Sequence, residues 1–212
     1  MNGMIYNVHS MNAKHREASL TLEILNTIDN QSDVTQRYLA NSLGVALGLA
    51  NSYLKGCVRK GLIKIEQAPA NRYLYYLTPH GFAERSRLTA EYLSSSFNLY
   101  RRASLSCTEV FNLCHERNYQ RIILCGKSEL AEIASLRAKE KNISISGILD
   151  LNLDTKECIG FPVYTTLDDI KNFDACVITD LISPFKMISF LEQSLEKNRI
   201  LIPDILGLRS EQ

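Results

Sequence analysis

The chain has 212 residues, of which 45% are hydrophobic and 22% are charged, a composition typical of a folded globular protein and not of a disordered one. No run approaches the roughly 18 uninterrupted apolar residues that a membrane-spanning helix needs, and the first residues lack the apolar block of a signal peptide, so we expect a cytoplasmic protein. The six cysteines form no Cys-X-X-Cys pair, which disfavours a zinc site and predicts buried free thiols.

The net charge of +1 conceals two halves of opposite sign. Residues 1–102 carry 12 Lys and Arg against 7 Asp and Glu, a net charge of +5, whereas residues 103–212 carry 12 against 16, a net charge of −4. A basic N-terminal half indicates a polyanionic partner, and an acidic C-terminal half does not. We therefore expect two domains with different functions.

The N-terminal half is predicted to be a winged-helix domain over residues 17–80. Residues 1–16 show no clear period and are predicted to be a mobile arm. Ser32 or Asp33 is the predicted cap of the second helix, and Gly44 its stop. The predicted elements are helices over 17–30, 35–43 and 46–60 and strands over 62–67 and 72–78.

A long helix is predicted to follow, because Pro79 suits a first helical turn. Apolar residues at helical spacing extend it to about Arg117, with Ala103 as the place where it could break. Such a length exceeds what a small winged domain can cover. Residues 81–118 are therefore predicted to link the domains and to form the seam of a homodimer.

From residue 119 to 208 strand-like and helix-like segments alternate, which predicts a parallel sheet with helices packed against it. The predicted strands are 121–126, 143–150, 159–164, 175–180 and 199–203, and the predicted helices are 128–141, 167–171 and 184–197. The expected fold class is therefore an α+β winged-helix domain followed by an α/β, Rossmann-like domain with a parallel sheet.

The segment from Thr35 to Val45 is the most specific signal in the chain. Apolar residues hold its helix against the next one across the turn at Gly44, so that one face of the third helix can enter a DNA major groove. Asn51 can pair with adenine through two hydrogen bonds, and Ser52 can bond several base edges. The residues predicted to contact DNA are Thr35, Gln36, Arg37, Leu47, Gly48, Asn51, Ser52, Lys55, Arg59 and, at the hairpin tip, Arg72.

Four stretches within residues 17–102 carry a family resemblance: Gly44-Val-Ala-Leu-Gly-Leu-Ala-Asn51, Leu54-Lys55, Lys60-Gly-Leu-Ile-Lys-Ile65 and Tyr75-Tyr-Leu-Thr-Pro-His-Gly81. Together they resemble the MarR-type winged-helix regulators that are associated with exopolysaccharide gene clusters. The resemblance implies a bacterial transcriptional regulator that binds double-stranded DNA as a dimer.

In the C-terminal half, Gly126-Lys-Ser-Glu-Leu-Ala131 takes the place of a nucleotide-binding loop, after a strand and at the start of a helix. A ligand at the carboxyl ends of the strands would lie near Gly126, Lys127, Ser128, Asp150 and Thr179. Lys127 and Ser128 suit a phosphate and Asp150 a ribose. Because only one glycine is present and Glu129 repels phosphate, a mononucleotide or nucleotide-sugar effector is favoured over NAD, with oligomerisation as the alternative role.

A second resemblance is carried by Ile123-Leu-Cys-Gly126, Ser146-Gly-Ile-Leu-Asp150, Ile159-Gly-Phe-Pro-Val-Tyr164 and Leu167-Asp-Asp169. These stretches resemble the nucleotide-binding domain of polysaccharide-biosynthesis epimerases and sugar acyltransferases and, more distantly, redox-sensing repressors. No nucleophile motif accompanies the four histidines, so no enzymatic activity is expected. The predicted function is a DNA-binding transcriptional regulator. A protein-interaction scaffold and a degenerate sugar-nucleotide enzyme with an appended wing are the alternatives.

Overall fold

The computed structural model describes residues 3–69, 72–152 and 156–208. The chain divides into two compact units, an N-terminal unit over residues 1–96 and an α/β unit over residues 97–212. Within the described ranges, no helix is both long enough and apolar enough to cross a membrane. The fold class is as predicted, a winged helix followed by an α/β domain with a mostly parallel sheet.

The N-terminal unit consists of three helices and a hairpin, α1 (Gly3–Asn30), α2 (Gln36–Ser42), α3 (Leu47–Arg59), β1 (Ile63–Ala68) and β2 (Arg72–Leu77). Its core joins Ile24 and Leu25 of α1 to Leu39 of α2, Leu54 of α3 and Tyr75 of β2. β1 and β2 are antiparallel. The hairpin is also fixed to the loop before α2, because the Tyr75 amide donates to the Ser32 carbonyl oxygen at 2.9 Å.

Two predictions about the helix starts are wrong. α1 begins at Gly3, where the sequence predicted a mobile arm, because extending a helix that is already nucleated adds a hydrogen bond per residue without a new nucleation cost. Thr35, and neither Ser32 nor Asp33, caps α2, since its backbone is extended and its Oγ1 accepts from the Tyr38 amide at 3.1 Å.

Helix α4 (Pro79–Glu116) is continuous over 38 residues. The helix does not break near Ala103, where the sequence allowed a break, because Ala103 is buried, is a strong helix former, and lies in a segment without Pro or Gly after Gly81. At its start, Thr78 Oγ1 accepts from the Gly81 amide at 3.0 Å. Gly81 packs so closely on Leu62 that a Cβ there would overlap the Leu62 carbonyl oxygen.

The α/β unit continues with β3 (Arg121–Cys125), α5 (Glu129–Glu140), β4 (Ser144–Leu149), β5 (Glu157–Cys158), β6 (Phe161–Tyr164), β7 (Ala175–Ile178), α6 (Pro184–Leu191) and β8 (Ile200–Leu201). The sheet order is β5-β6-β4-β3-β7-β8. All neighbours are parallel except the β5–β6 hairpin. Without β5, the strands follow the doubly wound order of third, second, first, fourth and fifth.

Side chains alternate between the two faces of this sheet, and each face has its own core. Ile122 and Leu124 pack with α5 and the C-terminal part of α4, whereas Ile123 and Cys125 pack with α6. This period of two is the one expected for a strand that is buried on both faces.

The predicted helix over 167–171 is a turn. The Thr166 hydroxyl donates to Asp169 Oδ2 at 2.7 Å, and the Ile170 amide to the Leu167 carbonyl oxygen at 3.0 Å. Such local side-chain bonds compete with helix formation. α6 is also shorter than predicted and ends at Leu191, beyond which the backbone continues in tight turns.

The cysteines are free thiols, as predicted, and all of them are buried except the half-buried Cys158. Burial raises the pKa of the Cys57, Cys107 and Cys114 thiols to about 11. These three side chains therefore act as small apolar core residues.

Candidate nucleic-acid interface

The turn between α2 and α3 fixes the angle between these two helices. Gly44 has a left-handed backbone with φ of +60°, and its amide donates to the Asn41 carbonyl oxygen at 3.1 Å. The Val45 amide donates back to the Ala40 carbonyl oxygen at 3.0 Å. This pair of bonds is the Schellman motif, and it reverses the chain within two residues.

One face of α3 is buried and the opposite face is exposed. Ala50, Leu54 and Cys57 are buried. The opposite face, which we call the outer line, consists of Gly48, Ser52, Lys55 and Arg59, all exposed and spaced by four, three and four residues, as one helix face requires. α3 contains no Asp or Glu. Its outer line therefore offers two small residues near the start and two cations near the end.

Asn51 does not lie on the outer line. Its side chain is half-buried, and its Oδ1 is fully buried without a hydrogen-bond partner among the described residues. Bidentate pairing with adenine needs both Oδ1 and Nδ2 at the surface. Asn51 therefore lies at the margin between the two faces, three residues before the buried Leu54 and four before the exposed Lys55, and the predicted two-bond contact with adenine would require its buried Oδ1 to reach the surface. Ser52 is the exposed polar side chain nearest to it in the chain.

The start of α2 and the hairpin enclose a groove of about 570 Å³. Thr35, Gln36 and Arg72, three of the predicted DNA contacts, line this groove together. Arg37 is exposed but is not one of the lining residues. The structure therefore brings the cap and the first residue of α2 close to a cation of β2 that lies more than 30 positions away in the chain.

Five residues that line this groove were not predicted to contact DNA, and two of them, Tyr73 and Asp33, are exposed and polar. Tyr73 is exposed, and its hydroxyl can donate to a phosphate oxygen. Asp33 also lines the groove, and its carboxylate would repel a phosphate placed next to it. The strand period would not have identified Tyr73 as exposed, because it places Tyr73 on the same face as the buried Tyr75; the signal is its place one residue from the end of the strand, close to the hairpin tip.

In the α/β unit, the strand order reverses between β3 and β7, where open α/β sheets leave their ligand crevice. In this structure the loop after β3 and the loop after β7 are joined by hydrogen bonds. The amides of Thr179 and Asp180 both donate to the Cys125 carbonyl oxygen at 2.8 Å. The Thr179 hydroxyl donates to the Gly126 carbonyl oxygen at 2.6 Å. Gly126, with φ of +109°, lies so close that a Cβ would overlap the Asp180 backbone.

The polar groups that a nucleotide would use are also engaged within the chain. The Lys127 amide donates to Asp150 Oδ2 at 2.9 Å. Ser128 Oγ donates to the Thr179 carbonyl oxygen at 2.6 Å and accepts from the Leu130 amide at 3.1 Å, as the cap of α5. The structure thus brings together the five predicted ligand residues. The bonds between them engage the amide and hydroxyl donors that would bind a phosphate and the carboxylate that would bind a ribose.

The family comparison concerns the N-terminal unit. Residues 19–64 match a family model described as winged helix-turn-helix DNA-binding. This agrees with the geometry of α2, the Gly44 turn and α3, so the segment is a winged helix-turn-helix domain. No curated protein matches the chain.

Solved structures similar to the chain include MepR, a transcription regulator of the Staphylococcus aureus multidrug efflux pump MepA, with 20% identity over 47% of this chain and 82% of that chain and a TM-score of 0.36. A mutant of S. aureus MepR bound to an oligodeoxyribonucleotide has 20% identity over 47% and 81%, with a TM-score of 0.34. Human N-acetylserotonin methyltransferase in complex with SAM has 11% identity over 95% and 80%, with a TM-score of 0.37.

The closure of the crevice predicts a stability difference between two glycines with positive φ. Gly126→Ala should destabilise the α/β unit by about 3 kcal/mol or more, because backbone strain and overlap with Asp180 add. Gly160→Ala, where φ is +77° in open space, should cost only about 1–2 kcal/mol of strain. Denaturant unfolding of both variants measures the difference, and equal losses would show that the two loops do not close tightly.

Proposed function

We propose that the protein is a DNA-binding transcriptional regulator that reads double-stranded DNA with α3 and contacts the backbone with the hairpin. The observation that carries the proposal is the outer line of α3, an exposed and cationic face on a winged helix-turn-helix domain. The MarR-type assignment, its association with exopolysaccharide gene clusters and a cytoplasmic location, which the sequence led us to expect, are part of this proposal.

Charge supports this proposal. Residues 1–102 carry a net charge of +5, and Arg37, Lys55, Arg59 and Arg72 are all exposed. Cations that neutralise phosphates release counterions, which makes affinity fall steeply as salt rises. In this proposal the cations bind phosphates and position the protein. The small and apolar residues at the start of α3, where α3 has no cation, contact the base edges.

Removing a cation from the outer line should weaken binding to every duplex. Lys55→Ala and Arg59→Ala should each lower the affinity of the full chain and reduce the slope of log affinity against log salt by about 1. Fluorescence anisotropy with labelled duplexes at several salt concentrations measures both quantities. Lys139→Ala, which removes an exposed cation from α5 in the α/β unit, is the matched control. The proposed interface is contradicted if the control weakens binding equally.

We further infer that the protein binds as a homodimer through one face of α4. Phe82, Leu93, Phe97 and Tyr100 lie on this face at helical spacing, and each is exposed by more than 40%. An exposed apolar stripe of this size is typical of an interaction surface. A twofold dimer would pair the stripe with its own copy, and it would present two DNA-reading helices to two half-sites.

A charge placed on that stripe should separate the protomers. Phe97→Glu, at a side chain that is 57% exposed, should convert a dimer to a monomer because dimerisation would bury an unpaired carboxylate. Leu105→Glu lies on another face of α4 at 64% exposure and should leave the dimer intact. Light scattering at micromolar concentration measures the mass. A monomeric wild-type protein would contradict the homodimer, and a dimeric Phe97→Glu would exclude this face.

For the α/β unit we infer a non-catalytic role in oligomerisation. The supporting observation is that the residues predicted to hold a ligand form hydrogen bonds within the chain, namely Lys127, Ser128, Asp150 and Thr179. The neighbouring groove of about 370 Å³ adds Glu129 and Glu132, which disfavour a phosphate there. A nucleotide or nucleotide-sugar effector would have to break these contacts.

Nucleotides, nucleotide-sugars and NAD should therefore leave the thermal unfolding midpoint unchanged. A ligand at 100 times its dissociation constant adds about 2.7 kcal/mol to stability, which a thermal-shift assay detects. A midpoint that rises with any of these compounds would contradict the assembly role and restore the prediction of an effector site.

A further inference from the structure

Gly48 has no structural reason to be a glycine. It lies in the first turn of α3, its φ is not positive, and a Cβ placed on it would have no neighbour within 4 Å. Glycine within a helix is less stable than alanine. Neither backbone conformation nor internal packing therefore accounts for it. Gly56 is equally free of such constraints, but it is half-buried and lies off the outer line, whereas Gly48 is exposed on that line, where a glycine lets another molecule approach the backbone closely.

Two exposed leucines stand on either side of Gly48. Leu47 is 45% exposed and Leu49 is 39% exposed, and neither belongs to the buried core of the N-terminal unit. The two side chains project about 100° to either side of Gly48, and we call these three residues together the apolar edge of α3. These side chains have no donor or acceptor, so they can distinguish one partner from another only by apolar contact.

We propose that the apolar edge of α3 recognises thymine by contact with the C5-methyl group, so that the DNA half-site contains T·A pairs where the start of α3 enters the major groove. This inference rests on the proposed function. The thymine C5-methyl, which stands beside the O4 acceptor, is the apolar group that the major groove displays, whereas guanine, adenine and cytosine carry no methyl group for a leucine to contact.

The rest of the outer line favours DNA over a protein as the molecule that meets this edge. Gly48 and Ser52 leave room near the start of α3, and Lys55 and Arg59 continue the same face with positive charge. Small residues followed by cations suit a helix that inserts between two phosphate backbones. A protein partner that covers the leucines is an outcome of the test.

The test uses the full chain to select binding sites from a pool of random duplexes. The tightest duplex is then remade with deoxyuridine in place of individual thymidines, which removes only the methyl group. We expect thymines in each half-site and a loss of affinity of about fourfold per contacted methyl. Leu47→Ala and Leu49→Ala should reduce both the thymine preference and the effect of deoxyuridine.

A second comparison separates binding from folding. Gly48→Ala and Gly56→Ala are both in open space on α3, and both should raise the thermal midpoint. Only Gly48→Ala should weaken binding to the selected duplex several-fold, because only Gly48 lies on the outer line. Equal affinities for the two variants would overturn the close approach at Gly48.

The outcomes also distinguish this inference from the proposed function. A selected site without thymine at these positions, or deoxyuridine duplexes bound as tightly as the parent, overturns thymine recognition and leaves a DNA-binding regulator. Failure to enrich or bind any duplex overturns both. A protein partner that covers Leu47 and Leu49 would then be the occupant of this edge.

Discussion

Both units depend on helices that stop at a left-handed residue followed by an apolar one. Gly44, Gly61, Asn118 and Asn142 have φ between +54° and +70°. In each case the next residue returns its amide to a carbonyl five positions earlier, as Val45 does to Ala40, Leu62 to Cys57, Tyr119 to Cys114 and Ile143 to Ala138. The motif satisfies orphan carbonyls and turns an apolar side chain back toward the core.

In the N-terminal unit this constraint determines which residues can meet another molecule. The Gly44 turn packs α2 against α3 through Leu39 and Leu54, and the opposite face of α3 is left free. The Gly61 turn then places Leu62 where its carbonyl oxygen accepts from the Thr78 amide at 3.1 Å. The hairpin and the start of α4 are thereby held to the end of the helix proposed to read DNA.

In the α/β unit, the polar residues that the sequence assigned to a ligand bond to one another. A phosphate site at a helix N-terminus requires free amides, yet Ser128 caps α5 with its own side chain and Asp150 accepts from Lys127. Thr179 is fully buried between the two loops. The loop after β3, which resembles a nucleotide fingerprint, is therefore joined by hydrogen bonds to the loop after β7.

The elements and the turns were predictable from the sequence where the signal is local. The hydrophobic period and the glycines at 44 and 61 are enough to place α2, α3 and the hairpin. The continuous apolar run at residues 122–125 is enough to predict a strand that is buried on both faces. Asn118 and Asn142 carry the same stop signal in a weaker form, since asparagine tolerates the left-handed region less well than glycine.

Tertiary structure alone decided the features that depend on distant partners. The Oδ1 of Asn51 is buried because of where α3 packs, and the crevice near Gly126 closes because Thr179 and Asp180, more than 50 residues away, donate to Cys125. Thr35, Gln36 and Arg72 meet in one groove only after the hairpin folds against the start of α2. Periodicity and local propensity describe a residue's neighbours along the chain, and they contain no term for the groups that folding brings against it.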